Sequence, residues 1–225
     1  MTAPHLPLFK RVICEALGTA LLVAAVVGSG IMGEKLAGGN QAIALLANTI
    51  ATGAALAALI LTFGPLSGAH LNPVVILASA LRQIFPWREV TPYLAAQILG
   101  GLLGTVSAHI MFGLPWYSLS QHARSGWPQL FSEFVATFGL VLVIWSCTRN
   151  HSIPATAMAV ASYITAAYWF TASMSFANPA VTLARSITDT FSGIRPIDVP
   201  GFIGAQLSGA AAATLFGSWL EKKRA

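Results

Sequence analysis

The stretch that decides the fold reads Gly-Ala-His-Leu-Asn-Pro-Val-Val from Gly68 to Val75, and it has a near copy, Ser-Phe-Ala-Asn-Pro-Ala-Val, from Ser175 to Val181. Asparagine is a strong helix N-cap, and proline fits the first helical turn because the N–H that it lacks would be unpaired there. Each copy therefore predicts a helix that begins at its Asn-Pro pair. About ten apolar residues follow each pair, too few to cross a bilayer. We expect two re-entrant loops, within 63–82 and 173–190, that each return as a half-helix.

Matching motifs flank the two copies in the same order. A Glu-x-x-x-Thr motif begins at Glu15 in the first half and at Glu133 in the second, and an Ala-Gln pair ends at Gln97 and at Gln206. Three apolar spans in each half, an odd number, place the second half upside down relative to the first. We expect one domain over 1–225, with repeats over about 9–113 and 129–220, and a site near the midplane where the halves meet.

Composition places the chain in a membrane. Hydrophobic residues make up 56% and charged residues 8%, whereas a soluble domain carries about 25% charged residues. The predicted fold class is an all-α membrane protein with two half-helices and six transmembrane helices, which are Val12–Met32, Ala42–Phe63, Tyr93–Phe112, Phe131–Cys147, Ala155–Ser175 and Phe202–Trp219. The first is interpreted as a span and not as a cleaved signal peptide.

Charge predicts an orientation. The net charge is +5, but the basic residues are spread over loops and ends, so we expect no nucleic-acid partner. Positively charged residues favour the cytoplasmic side. If the termini are inside, eight basic residues lie inside and four lie outside. The inside set is Lys10, Arg11, Arg82, Arg88, Arg149, Lys222, Lys223 and Arg224, and the outside set is Lys35, Arg124, Arg185 and Arg195. Both termini are predicted to be cytoplasmic.

Taken together, the duplicated Asn-Pro motifs, the Glu-x-x-x-Thr motifs and the Ala-Gln pairs resemble the major intrinsic protein family of aquaporins and aquaglyceroporins, over essentially the whole chain. The resemblance implies a right-handed bundle in which Asn72-Pro73-Val74 and Asn178-Pro179-Ala180 meet at the membrane centre. It also implies one pore per subunit, a homotetramer and a place in the cell membrane. Glu15 and Glu133 would accept hydrogen bonds from the buried loop backbone.

Two positions depart from the family pattern. Val74 replaces an alanine, and Val181 stands where the family has the arginine of its selectivity filter. Arg185 follows four residues later, one helical turn deeper, so we expect it not to replace that arginine but to satisfy loop carbonyls or face the outer surface. The other filter positions, counted from the two asparagines, are small and neutral, namely Thr52, Ser175 and Ala166, with Ala167 as the alternative to Ala166. A wide filter is predicted.

The pore chemistry predicted from these residues suits neutral hydroxylated solutes. Asn72 and Asn178 can point amide donors into the lumen. Backbone carbonyls would supply acceptors, from Gly68, Ala69, His70 and Leu71 in one loop and from Ser173, Met174 and Phe176 in the other. No ring of charged side chains is present to compensate a dehydrated ion. We expect no substantial ion current.

The run from Ser175 to Ser186 resembles a bacterial branch of the family that is often encoded beside arsenic-resistance genes. That resemblance implies passive conduction of neutral metalloid hydroxides such as arsenous acid, and of polyols such as glycerol, with some water. A mainly water-selective pore is the alternative, and a secondary transporter is a remote one. Without a nucleophile–base arrangement or metal-ligand spacing, we expect no enzymatic activity, cofactor or metal.

Overall fold

The computed structural model describes residues 6–148 and 152–221, and this part of the chain is helical without strands. Four of the basic residues used to predict orientation, Arg149, Lys222, Lys223 and Arg224, lie outside the described residues. A single turn of 3-10 helix covers Pro196–Asp198. The α-helices are α1 Leu8–Leu36, α2 Gln41–Ser67, α3 Pro73–Leu81, α4 Trp87–Met111, α5 Trp127–Thr148, α6 Ile153–Phe170, α7 Pro179–Arg185 and α8 Val199–Glu221.

Six long helices form the predicted bundle. Five of them, all except α6, are long and apolar enough to cross a membrane by length and composition. The sixth, α6, is shorter, and its predicted extension to Ser175 is wrong. The helix ends at Phe170, and Thr171 already has extended backbone angles, with φ −110° and ψ 141°. The five residues from 171 to 175 belong instead to the second re-entrant loop, because their backbone must turn back toward the membrane centre.

Each half packs its first and third long helices closely together. A Cβ on Gly100 of α4 would overlap the backbone carbonyl of Ala16 on α1, and a Cβ on Gly209 of α8 would overlap that of Phe134 on α5. Both glycines stand three residues after the glutamine of an Ala-Gln pair. Small residues let transmembrane helices approach backbone to backbone. The repeat thus encodes the same tight crossing in both halves.

The two half-helices begin at the Asn-Pro pairs, as predicted. Asn72 is extended, with φ −158°, and its side chain accepts a hydrogen bond from the backbone N–H of Val74 at 3.1 Å. Asn178 has the same φ and accepts from Ala180 N–H at 3.0 Å. The inverted arrangement of α3 and α7 brings their N-terminal ends together in the middle of the bundle.

Both described ends of the chain lie on one face of the bundle. Arg11 at the start of α1 forms an ion pair of 2.7 Å with Glu89 at the start of α4. Arg82, just after α3, pairs with Glu221 at the end of α8 at 2.9 Å. We call this face the terminal side. The opposite face, the loop side, carries the long connections 112–126 and 186–198.

Candidate functional site

A cavity of about 230 Å³ runs through the bundle between its two halves. Arg82 and Trp145 line it toward the terminal side, and Tyr168 and Arg185 line it toward the loop side. Its middle is formed by the two Asn-Pro motifs. Apolar residues of the long helices cover the wall opposite the re-entrant loops, among them Leu22, Val26, Leu56, Ile60, Val160 and Ile164.

The two asparagines hold the halves together at the centre of this cavity. The Asn72 Nδ2 donates to the carbonyl of Ala177 at 2.8 Å, and the Asn178 Nδ2 donates to the carbonyl of Leu71 at 2.8 Å. Each amide nitrogen carries two hydrogens, so one hydrogen remains after the cross-bond. Both side chains line the cavity and are 5% exposed. The remaining donor of each asparagine is therefore available to a solute.

The loops that carry the asparagines have strained backbones. Ala69 and Leu71 have φ of 45° and 50°, and Ser175 and Ala177, at matching places, have φ of 45° and 46°. The left-handed region costs an L-residue roughly 1–2 kcal/mol. Such residues persist only where their surroundings determine the conformation. Residues 68–72 and 175–178 line the cavity in this conformation.

Two buried glutamates supply that support. Glu15 accepts from Ser67 Oγ at 2.8 Å and from the backbone N–H groups of His70 and Leu71 at 3.0 and 2.8 Å. Gln97 donates a fourth bond to it at 2.8 Å. The family resemblance implied the role of the acid, but the glutamine was assigned no role beyond its place in the repeat.

Glu133 repeats this arrangement in the second half. It accepts from Ser173 Oγ at 2.5 Å and from the backbone N–H groups of Phe176 and Ala177 at 2.9 and 2.8 Å. The Gln206 Nε2 donates at 2.6 Å. Each acid thus satisfies two backbone donors of its loop that would otherwise be buried without a partner.

The predicted filter positions do not all reach the cavity. Thr52, Ser175 and Val181 line it, but Ala166 is exposed on the outer surface of α6, and Ala167 is not among the lining residues. The placement of Ala166 is corrected, because Tyr168 occupies this part of the wall. Two residues turn a helix by about 200°, so a small error in register moves a side chain to the opposite face.

Tyr168 changes the character of the loop-side lining. Its hydroxyl lies 3.3 Å from Thr52 Oγ1, so the two helices α2 and α6 are joined by a hydrogen bond at the edge of the cavity. The sequence predicted small side chains here. A larger, aromatic side chain occupies this wall instead.

Two of the predicted backbone acceptors also lie elsewhere. Residues 68 to 71 line the cavity as predicted, and so does Phe176, but Ser173 and Met174 do not. The carbonyl of Ser173 instead accepts a hydrogen bond of 3.4 Å from Nη1 of Arg124. That guanidinium reaches in from the loop between α4 and α5 and removes this carbonyl from the set available to a solute.

Arg185 has the loop-carbonyl partner that the sequence predicted, but its side chain lies in the cavity wall. Its Nε donates to the carbonyl of Ser192, in agreement with the expected loop-carbonyl partner. The side chain is fully buried, however, and it lines the cavity instead of facing the outer surface. Because α7 runs from the centre toward the loop side, Arg185 lies one turn nearer that side than Val181, and not deeper.

The two arginines share one aromatic ring. The Cζ of Arg185 lies 3.3 Å from the ring centroid of Phe176, and the Cζ of Arg124 lies 5.1 Å from it. Burial lowers the pKa of Arg124 to about 10, while Glu133 and Tyr168 oppose the shift. The group therefore remains charged at neutral pH. Of these two cationic side chains, Arg185 lines this end of the cavity, and Arg124 is not among the lining residues.

His70 lies at the terminal side of the loop that carries Asn72. It lines the cavity, and its Nδ1 is 3.8 Å from Oε1 of Glu15. Its ring packs edge-on against Phe85 and Tyr93. Within residues 6–148 and 152–221, no cluster of His, Cys, Asp or Glu has the arrangement of a metal site.

Comparisons with known proteins agree with this geometry. The model of the major intrinsic protein family matches residues 2–153. The chain is 55% identical over 213 residues to aquaglyceroporin AqpS of Rhizobium meliloti, covering 95% of this chain and 91% of that protein. It is 31% identical to aquaporin NIP2-2 of Zea mays, covering 92% and 70%.

The fold also matches a solved structure. The aquaglyceroporin from Plasmodium falciparum superposes with a TM-score of 0.75 at 20% identity, over 96% of both chains. At that identity the likeness concerns the fold alone. The duplicated Asn-Pro half-helices, the two supporting glutamates, the family match and the Rhizobium relative lead to one conclusion: the chain belongs to the major intrinsic protein family.

Proposed function

We propose that this membrane channel passively conducts small neutral hydroxylated solutes, with polyols such as glycerol and metalloid hydroxides such as arsenous acid as substrates, and some water. One observation carries the proposal. The cavity has strained loop backbone and two asparagine amides along one wall and apolar side chains along the other. A molecule with several hydroxyls can exchange its water partners for groups on the polar wall, while its carbon or metalloid centre faces the apolar wall.

The two parts of the proposal have different support. The printed name of the Rhizobium relative, aquaglyceroporin, supports the glycerol part. The metalloid part is supported by the run from Ser175 to Ser186 and by the neutral Val181 in the cavity wall. We place the channel in the cell membrane as a homotetramer with a pore in each subunit and with both termini in the cytoplasm.

A mainly water-selective pore is the second candidate, and a specific observation favours it. Tyr168 and Arg185 both line the loop side of the cavity, so this end carries an aromatic ring and a cation despite the valine at 181. A narrow cationic end would admit water and slow larger solutes. A proton-coupled transporter has less support, because no Asp or Glu is among the cavity-lining residues within the described ranges.

The test is stopped-flow permeability of proteoliposomes to water, glycerol and arsenous acid. Wild type should pass all three, and Val181→Arg should suppress glycerol and arsenous acid much more than water. Val181→Leu is the matched control, because it adds bulk without charge. Water permeability alone, unchanged by the arginine, would favour the water-selective candidate, and saturable proton-dependent uptake would favour the transporter.

A further inference from the structure

The guanidinium of Arg185 has unused hydrogen-bonding capacity in a buried place. Its Nε bonds to Ser192, but neither terminal nitrogen has a hydrogen-bond partner among the described residues. The side chain is 0% exposed. Leaving charged donors buried without partners is costly. An acceptor on a bound molecule would remove that cost.

The Glu133 carboxylate interacts electrostatically with both Arg185 and Arg124, but two arginines against one acid leave an excess of positive charge. Neither Arg185 nor Arg124 forms an ion pair in the described part of the chain. Glu133 accepts four hydrogen bonds from its own loop and from Gln206, and none from either guanidinium. The loop side of the cavity therefore attracts negative charge and repels cations.

A second unused donor lies on the same cavity. The Ser175 hydroxyl is buried without a hydrogen-bond partner in the described residues, and it lines the cavity together with Arg185. Phe176, the next residue, stacks on the guanidinium and fixes its plane. A planar fork of two N–H donors matches a group with two coplanar oxygens.

We propose that Arg185 and Ser175 form a binding site, at the loop side of the pore, for the carboxylate group of a small solute. The guanidinium of Arg185 holds the two oxygens, and the Ser175 hydroxyl donates to one of them. Arg124 adds positive charge, but its guanidinium donates hydrogen bonds to the carbonyls of Ser173, Phe191 and Gly193. The site goes beyond the proposed function, because it binds an anionic group at one end of a pore that we propose to pass neutral solutes.

Binding is tested without flux by the NMR line width of 13C-labelled acetate added to the purified protein in micelles. Wild type should broaden the signal, and unlabelled acetate should reverse the effect while chloride does not. Arg185→Met should abolish the broadening. Arg185→Lys keeps the charge but loses the fork, so binding should weaken about tenfold. Arg88→Met, at an exposed arginine on the terminal side, is the matched control.

Flux separates this inference from the proposed function. Acetate present on both sides of the vesicle should slow glycerol permeation through wild type and not through Arg185→Met. Absence of glycerol permeation would refute the proposed function, while the NMR measurement would still decide the site. Equal broadening by wild type and Arg185→Met, or full reversal by chloride, would overturn the carboxylate site. Gel filtration and thermal unfolding of Arg185→Met show whether its loss of binding reflects a loss of fold.

Discussion

Replacing Glu133 by glutamine tests whether the buried acids hold the strained loops. The change is isosteric but turns one acceptor oxygen into a donor. In one orientation, the NH₂ group of the new glutamine faces the backbone N–H of Ala177 and the side-chain amide of Gln206. The Gln206 amide can flip, so that its free Oε1 accepts a hydrogen bond from the new NH₂ group. The backbone N–H of Ala177 cannot become an acceptor in this way. One buried donor is left unpaired, and the surviving bonds lose their charge.

The magnitude follows from these contacts. An unpaired buried donor costs about 1–3 kcal/mol, and charge-assisted bonds are roughly twice as strong as neutral ones, so the total loss is about 3–5 kcal/mol. For a chain of this size the thermal midpoint should fall on the order of 10 °C. The assay is tryptophan fluorescence during heating in micelles. Glu34→Gln, at an exposed acid on α1, is the control. Equal midpoints for both variants would refute the supporting role of Glu133.

Three further outcomes are expected. Gly209→Ala places a methyl against a backbone carbonyl of α5 and should cost about 1–3 kcal/mol, while Gly204→Ala, with open space, should leave the thermal midpoint unchanged. Asn72→Asp keeps the cap acceptor but sets a carboxylate against the opposite loop carbonyl, so stopped-flow glycerol permeability should collapse. Burial raises the pKa of Asp198, but Arg195 and a backbone N–H lower it more, so the net pKa is below its usual value. The ionised Asp198 then stabilises the folded protein above about pH 4, and this stabilisation is lost as the pH falls through the lower folded pKa. Below about pH 4, the thermal midpoint of Asp198→Asn should therefore fall less than that of wild type.

The features that could be predicted from the sequence are those that occur in both halves of the repeat. Asn72 and Asn178 mark two half-helices because capping and proline geometry are local properties of the chain. Glu15 and Glu133 stand out because carboxylates are costly within a membrane span. Local chemistry was sufficient to predict the two half-helices, whereas the supporting role of the two glutamates came from the family resemblance.

The features that sequence could not give depend on tertiary contacts. The sequence does not reveal which side of α6 faces the pore, because apolar residues suit both lipid contact and helix packing. For this reason Ala166 was assigned to the pore wall and Tyr168 was not. The loop-carbonyl partner of Arg185 was predicted, but its place in the cavity wall was not, because only the folded loop brings Ser192 and the ring of Phe176 to this side chain.

The crossed asparagine bonds have a consequence for biosynthesis. The amide of Asn72 finds its acceptor on Ala177, 105 residues later in the chain. At a synthesis rate of about 5–20 residues per second, that carbonyl is made roughly 5 to 20 s after the asparagine. During this interval the nascent first half has no partner for Asn72 across the midplane. The first re-entrant segment therefore cannot reach its final conformation in this interval. The pore forms only after the second re-entrant segment has been synthesised.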